Sequence, residues 1–291
     1  MSSVLIIGCG DLGTAIATRL YQAQHNVFGV RQSNQLLPLG MQTIQADITQ
    51  PSTLSALDNL KPNIIIYCVA AKTQTDESYQ AHYVTGLKNV LATQAQNKAL
   101  QHVFFISSTR VYGQVTHHLL DETVPAAPSD FGGERLLEAE HVLKMLQFEP
   151  HLCKSTSMRL SGIYGNGRLY LANMAKDVTK WPQANNWSNR IHRDDAADFI
   201  AFLVDKAFKN QSIADCYIVT DDMPTLQYDV LTWLAHQQKI DTSGIQIPTI
   251  QGGKRLSNQR LRATGFQLRY PNYQAGYTKV LNSKIPDTQN E

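Results

Sequence analysis

Val4-Leu5-Ile6-Ile7-Gly8-Cys9-Gly10-Asp11-Leu12-Gly13 is the stretch on which the fold turns. A short β-forming run meets three glycines, and an amphipathic segment follows in which Leu12, Ile16 and Leu20 recur every four residues. A G-x-G-x-x-G spacing is weak alone but informative where it closes a strand and opens a helix. Each glycine then has its own mechanical role. Gly8 permits the tight turn, Gly10 lets a pyrophosphate approach the backbone, and Gly13 lets the helix pack against the strand. The helix N-terminus, at Asp11 and Leu12, supplies unpaired N–H groups and a positive partial charge for phosphate. A Gly-rich turn without a ligand is the alternative, and the pattern around it weighs against that.

Outward from the loop, short β-branched runs alternate with longer amphipathic segments, the signature of parallel strands joined by crossover helices. Strands are expected at Val4–Ile7, Val27–Val30, Gln42–Gln45, Ile64–Cys68 and Val103–Ser107, with further ones at Thr156–Leu160 and Cys216–Val219. Helices are expected at 12–23, 51–60, 77–96, 130–146, 194–206 and 226–237. Ile64-Ile65-Ile66 and Val103-Phe104-Phe105-Ile106 are apolar throughout, as strands covered on both faces should be. The expected class is α/β, a doubly wound parallel sheet of Rossmann type with helices on both faces. No internal repeat or Gly/Ser linker interrupts it, and the polar tail from Asn282 is expected to fray.

The ribose end of the groove carries the next signal. An NAD site normally offers Asp or Glu about twenty residues beyond the loop. Here the second strand ends in Val30-Arg31-Gln32-Ser33, without a carboxylate. A guanidinium beside a hydroxyl suits a 2′-phosphate, so NADP is expected in preference to NAD. Arg31 as a solvated strand-end charge is the competing reading. Asp47 either meets the adenine amino group or shapes the approach to Pro51.

Composition narrows the partners. With 291 residues, 43% hydrophobic and 17% charged, the chain can bury a substantial core. Its 26 basic and 24 acidic side chains leave +2, too little for dense phosphate neutralisation, so no nucleic-acid partner is expected. The longest apolar run, Ile64 to Ala71, is far short of the roughly 20 residues of a membrane span. No Lys or Arg precedes Arg19, and the four cysteines lie far apart, so a cytoplasmic protein with reduced thiols is expected. His117 and His118 lack a third ligand, and no metal site is expected.

Four further stretches carry a resemblance. Phe105-Ile106-Ser107-Ser108-Thr109-Arg110-Val111-Tyr112-Gly113 resembles the SS-x-x-VYG segment of the extended short-chain dehydrogenase/reductases, the NAD-dependent epimerase/dehydratase family. Asp121-Glu122-Thr123 with Pro125 and Pro128 resembles its DE-x-x-P loop. Arg159-Leu160-Ser161-Gly162-Ile163-Tyr164-Gly165 resembles RL-x-x-IYG, and Ile191-His192-Arg193-Asp194-Asp195 resembles IH-x-DD. The resemblance implies a cofactor domain over 1–165, with contributions from 190–220, and a small substrate lobe mainly over 166–291. It extends the cofactor set from Gly8, Gly10, Asp11, Leu12, Gly13, Arg31, Gln32, Ser33 and Asp47 to Ile48, Val69, Ala70, Ala71, Ser107, Arg135, Gly162 and Ile163. It further implies a small-molecule substrate, a sugar nucleotide or another anionic carbonyl or hydroxyl compound, and pairing as a homodimer.

Catalysis in that family normally joins a Ser or Thr to Tyr-x-x-x-Lys. Ser108 matches the serine, but Ser129-Asp130-Phe131-Gly132-Gly133-Glu134-Arg135 puts Phe131 on the tyrosine and Arg135 on the lysine. Phenylalanine has no O–H, and positioned proton transfer is commonly worth about 10²–10⁴ in rate. Arg135 keeps a positive charge for ribose hydroxyls in a different donor geometry. The resemblance is thus to atypical members that lack part of the active-site set. Two readings stand: an NADP-dependent oxidoreductase or sugar-nucleotide enzyme whose proton donor is Ser108, Tyr112 or Tyr164, or a catalytically silent cofactor-binding sensor or scaffold. Lys254, Arg255, Arg260, Arg262 and Arg269 either bind an anionic substrate group or form a solvated surface, and His192 is expected to orient rather than catalyse.

Overall fold

The computed structural model describes residues 2–116, 118–145 and 153–282. Seven strands form its main sheet: β1 (Ser3–Ile7), β2 (Asn26–Arg31), β3 (Gln42–Gln45), β4 (Ile64–Tyr67), β5 (His102–Ser108), β6 (Lys154–Leu160) and β7 (Cys216–Val219). Their order is β7-β6-β5-β4-β1-β2-β3, and β1 pairs parallel with both β2 and β4. β2–β3 and β4–β5 are parallel as well. Val4 to Ile7, Ile64 to Ile66 and Val103 to Phe105 are fully buried, which explains why these runs have no polar face. Strand order reverses at β1 and β4, and ligands of such sheets bind outside the carboxyl ends of strands at that reversal.

Three helices matter most for the site: α1 (Asp11–Gln22), α2 (Phe131–Met145) and α3 (Arg193–Phe208). The expected stripe Leu12, Ile16 and Leu20 is buried, with Gly13 and Ala17 between. Asp194 and Asp195 stand in the first turn of α3, where carboxylates oppose the helix dipole. Arg19 of α1 pairs with Asp198 of α3, and His25 binds Asp205 at 3.0 Å while stacking on Phe208.

Two expected helices differ from the sequence reading. Residues 51–60 form only a 3₁₀ turn, Pro51–Thr53, and one α-turn, Ser55–Asp58. The Thr53 hydroxyl bonds the Asp47 and Gln50 carbonyls, a local alternative to the helical ladder. The helix expected over 77–96 runs from Asp76 to Thr93 but passes through a π-helical turn, Gln80–Thr85. It lies so close to β4 that a Cβ on Gly86 would come within 2.7 Å of the Tyr67 hydroxyl and of Ile48. Leu146, His117 and residues 283–291, on which other expectations fell, lie outside the described residues.

The chain clusters into two compact units. The first comprises Met1–Gly113, Pro125–Arg159 and Ala197–Tyr217. Inside it, Glu140 of α2 accepts Arg159 Nη2 at 2.6 Å and Arg159 Nε at 3.0 Å, and Ser107 Oγ donates to Glu140 at 2.6 Å. Arg159 Nη1 reaches the Tyr112 hydroxyl at 2.6 Å. All four residues are buried, so a bonded charge network joins β5, α2 and β6. The second unit comprises Gln114–Val124, Leu160–Ala196 and Ile218–Glu291, and packs Tyr164, Trp181, Tyr228, Leu231, Leu234, Tyr273 and Tyr277 into one buried cluster.

Candidate functional site

The glycines of the loop behave differently from one another, and the difference points to a ligand. Gly8 has φ +92°, and a Cβ there would lie 2.4 Å from the Cys68 carbonyl oxygen. A Cβ on Gly13 would lie 2.2 Å from the Gly8 carbonyl oxygen, so both positions are closed by the protein itself. Gly10 has φ −75°, a conformation open to any residue, and a Cβ there would meet nothing within 4 Å. The fold leaves open space there, where a backbone approach to pyrophosphate requires it. Cys9 faces inward, 1% exposed, and burial pushes its thiol up to about 12 even with Arg31 nearby.

At the end of β2, Arg31 Nη2 donates to Gln35 at 3.0 Å while Arg31 Nε is buried without a partner. An orphaned guanidinium N–H beside exposed Ser33 fits an incoming phosphate oxygen. Gln32 donates to Asp47 at 2.5 Å. The other Asp47 oxygen accepts the Thr49 N–H at 3.0 Å and the Thr49 hydroxyl at 2.7 Å. These bonds, with the charge of Lys72, outweigh desolvation and hold the carboxyl below its usual range. Asp47 thus shapes the turn toward Pro51. Lys72, 3.9 Å from Asp47, was not singled out in the sequence because nothing local marks it.

Val69, Ala70 and Ala71 follow β4 directly, and Val69 Cα is 3.0 Å from the Cβ position of Gly8, so loop and strand end are in contact. Ile48 is buried against Gly86, and its carbonyl accepts from Asn89 at 2.9 Å. The Ser107 side chain is turned inward to Glu140.

The region around position 131 is built by Arg110. Its guanidinium carbon lies 5.2 Å from the ring centroids of both Tyr79 and Phe131. Arg110 Nε donates to Asp130 at 2.8 Å, and Nη1 donates to the Tyr79 hydroxyl at 2.8 Å and to Gln74 at 3.1 Å. Asp130 also caps α2 by accepting the Gly133 N–H at 2.8 Å. A Cβ on Gly132 would lie 2.4 Å from the Arg110 guanidinium carbon, and one on Gly133 would lie 2.6 Å from its carbonyl oxygen. The Gly132-Gly133 pair thus makes room for Arg110.

Tyr79 meets the Phe131 ring edge to face at 5.4 Å and donates its hydroxyl proton to Gln74 at 2.9 Å. Tyr83, its centroid 5.1 Å from that of Tyr79, has its hydroxyl pushed up to about 12 by burial and by Tyr79. Neither tyrosine, nor Arg110 or Gln74, was singled out as a site residue in the sequence. The available signal was the Tyr79/Tyr83 pair at helical i, i+4 spacing, hidden because a core stripe has the same period.

Ser108 accepts the Arg110 N–H at 3.1 Å as cap of a 3₁₀ turn, and its own O–H has no acceptor among the described residues. Each guanidinium nitrogen of Arg135 donates to a carboxylate: Nε to Asp76 at 2.7 Å, Nη2 to Asp76 at 3.0 Å, and Nη1 to Glu138 at 2.9 Å. Its hydrogen bonds to Asp76 hold the Asp76 carboxyl below its usual range. Two substitute donors considered from the sequence have other occupations. Tyr112 is wholly buried with its hydroxyl on Arg159. Tyr164 is 4% exposed, stacked on Tyr277, its hydroxyl pushed up by burial and by the Asp221 charge.

Gly162, Ile163 and Tyr164 form a short strand of the second unit, paired with Arg190–His192. There the His192 Nδ1 accepts the Asp194 N–H at 3.2 Å. The basic stretch near the C-terminus is engaged within that unit. Arg255 lies 4.9 Å over Trp187, Arg260 is 3.7 Å from Glu122, and Arg262 is 3.6 Å from Asp222.

A family model described as NAD dependent epimerase/dehydratase family matches residues 4–214. A Methylobacillus flagellatus structure, provisionally assigned as an NAD-dependent epimerase/dehydratase, is 45% identical with TM-score 0.87, covering 97% of this chain and 98% of that one. Thermus thermophilus UDP-glucose 4-epimerase complexed with NAD is 19% identical with TM-score 0.77, covering 96% and 98%. Bacillus anthracis dTDP-glucose 4,6-dehydratase complexed with NAD is 13% identical with TM-score 0.78, covering 97% and 96%. The last two likenesses are of fold. Among curated proteins none matches the sequence. No helix among the described residues is long and apolar enough to cross a membrane.

Proposed function

Because the chain belongs to the NAD-dependent epimerase/dehydratase family, we propose that it holds a dinucleotide with its pyrophosphate over Gly10 and the first turn of α1, and prefers NADP to NAD. The observation carrying this reading is the contrast between two glycines closed by the protein and one left open, at a helix N-terminus. Arg31 and Ser33 hold the 2′-phosphate, and the absent carboxylate at the end of β2 removes the repulsion that such a phosphate would meet. When bound, the nicotinamide supplies hydride exchange.

The residues around position 131 then take separate parts. Ser108, its oxygen fixed by the Arg110 N–H, directs its O–H at a substrate oxygen. The Tyr79 hydroxyl, fixed between Arg110 and Gln74, holds a proton beside the position that Phe131 leaves without one. Arg110 keeps a positive charge beside that proton. The substrate class is a sugar nucleotide or another anionic carbonyl or hydroxyl compound, supported by the nucleotide-sugar enzymes that share the fold.

Titrating the protein with NADPH and NADH tests the cofactor preference. NADPH should bind more tightly, and Arg31→Ala should remove about tenfold or more of the difference. Equal affinities before mutation overturn the preference. A second reading, a cofactor-binding module without turnover, is favoured by the pairing of Arg135 with Asp76 and Glu138. Turnover by the unmodified protein on a panel of sugar nucleotides and carbonyl compounds would exclude it.

A further inference from the structure

The first unit also has a cavity of about 330 Å³ at the opposite edge of its sheet, lined by Lys98, Gln101, His102, Lys154, Asn210 and Gln211 among others. His102 opens β5 and Lys154 opens β6, so the cavity lies at strand N-termini. Strand β5, seven residues long, separates it from Ser108 by about 20 Å. Ligands of doubly wound sheets use the other edge, so this cavity belongs to neither the dinucleotide loop nor the Arg110 cluster.

Its chemistry is one-sided. Two lysines and three residues with side-chain amides line it, and none of the described lining residues is acidic. The buried His102 fixes what the floor presents. Its Nε2 lies 2.9 Å from Thr156 Oγ1, and that hydroxyl donates its single proton to the Ala214 carbonyl at 2.9 Å. Thr156 must therefore accept from His102, which places the imidazole proton on Nε2 and leaves Nδ1 an acceptor. Burial and the Lys154 charge push His102 down to about 3, so the ring stays neutral and cannot act as a third cation. A ligand suited to these groups carries negative charge for the lysines, acceptors for the amides, and an O–H for Nδ1. The volume is at the small end of ligand sites and exceeds the roughly 30 Å³ share of one water about tenfold.

We propose that this cavity binds a phosphate group, as inorganic hydrogenphosphate or the terminal group of a phosphomonoester, between Lys98 and Lys154 over His102. The proposal is independent of the dinucleotide reading. Amide chemical-shift mapping of the full chain, at constant ionic strength, tests it with inorganic phosphate, glycerol phosphate and sulfate as probes. Inorganic phosphate should saturate, with shifts centred on Gln101, His102, Lys154 and Asn210. Sulfate, which carries no proton at neutral pH, should bind more weakly. Glycerol phosphate binding as well as or better than phosphate identifies a phosphomonoester as the ligand, and weaker binding identifies the free ion. Lys98→Ala and Lys154→Ala alter exposed side chains, and each should weaken binding by about tenfold. Non-saturating shifts, binding unchanged in the double variant, or shifts confined to Gly10–Gly13 each overturn the proposal.

Discussion

Helix α2 carries an arginine–carboxylate cluster at each end, and the two have opposite characters. Toward its C-terminus, Glu140 and Arg159 are 2% and 8% exposed, and Ser107 and Tyr112 complete their bonds. At its N-terminus, Arg135 with Asp76 and Arg110 with Asp130 are about a third exposed or more, within reach of solvent. A buried pair is costly unless fully bonded, and the inner cluster meets that condition. An open pair adds little stability, so the outer arginines need another reason to be there. The comparison makes the inner cluster architectural and leaves the outer one open to solvent, where the proposed function uses it.

Breaking the inner cluster should have the largest effect. Glu140→Ala strands Arg159 and should destabilise the fold by about 3–5 kcal/mol, read from denaturant unfolding. A loss below 1 kcal/mol would erase the distinction between the clusters. Restoring the family pair at the outer cluster, Phe131→Tyr with Arg135→Lys, should raise turnover on an accepted substrate by about 10²-fold or more, the usual scale of positioned proton transfer. No change would show that the Tyr79–Arg110 arrangement already fills the role or that the pocket has lost competence. Arg135→Ala alone should leave the denaturant-unfolding midpoint nearly unchanged, because its partners are exposed.

A small pH effect sharpens the same contrast. Asp76 is held below its usual range chiefly by its hydrogen bonds to Arg135, so its share of stability is present above the unfolded carboxylate range near 4 and is lost as pH falls through the folded value. Removing Arg135 should flatten that part of the acid limb. The second unit offers the reverse sign. Burial pushes Asp221 up to about 7, with Arg190 only partly offsetting it, so stability should fall as pH rises from about 4 to 7. Asp221→Asn should abolish that slope.

The sheet was legible because parallel strands covered on both faces must be apolar throughout, and 4–7, 64–66 and 103–106 are. The glycine loop was legible because each glycine answers a distinct steric demand. The departures at Phe131 and Arg135 were visible as chemistry, but their neighbourhood was not. Arg110 lies in a motif where attention falls on Ser108 and Tyr112, and its partners Gln74, Tyr79 and Asp130 come from segments up to 36 residues away. The partner of Tyr112 was hidden for the same reason: its hydroxyl accepts from Arg159, 47 residues further on. Likewise, the ion pairs of the basic C-terminal stretch were hidden because Glu122 and Asp222 are distant in sequence.

The central claim is that the open face of Gly10 receives a pyrophosphate. Gly10→Ala tests it most directly, since the backbone there suits alanine and the new methyl meets no protein atom within 4 Å. Calorimetric titration with NADPH, beside a thermal melt, should show an unchanged or slightly raised melting temperature and an affinity reduced by about tenfold or more. An alanine variant that binds the nucleotide as tightly as the original protein, or an original protein that binds none, would contradict the account.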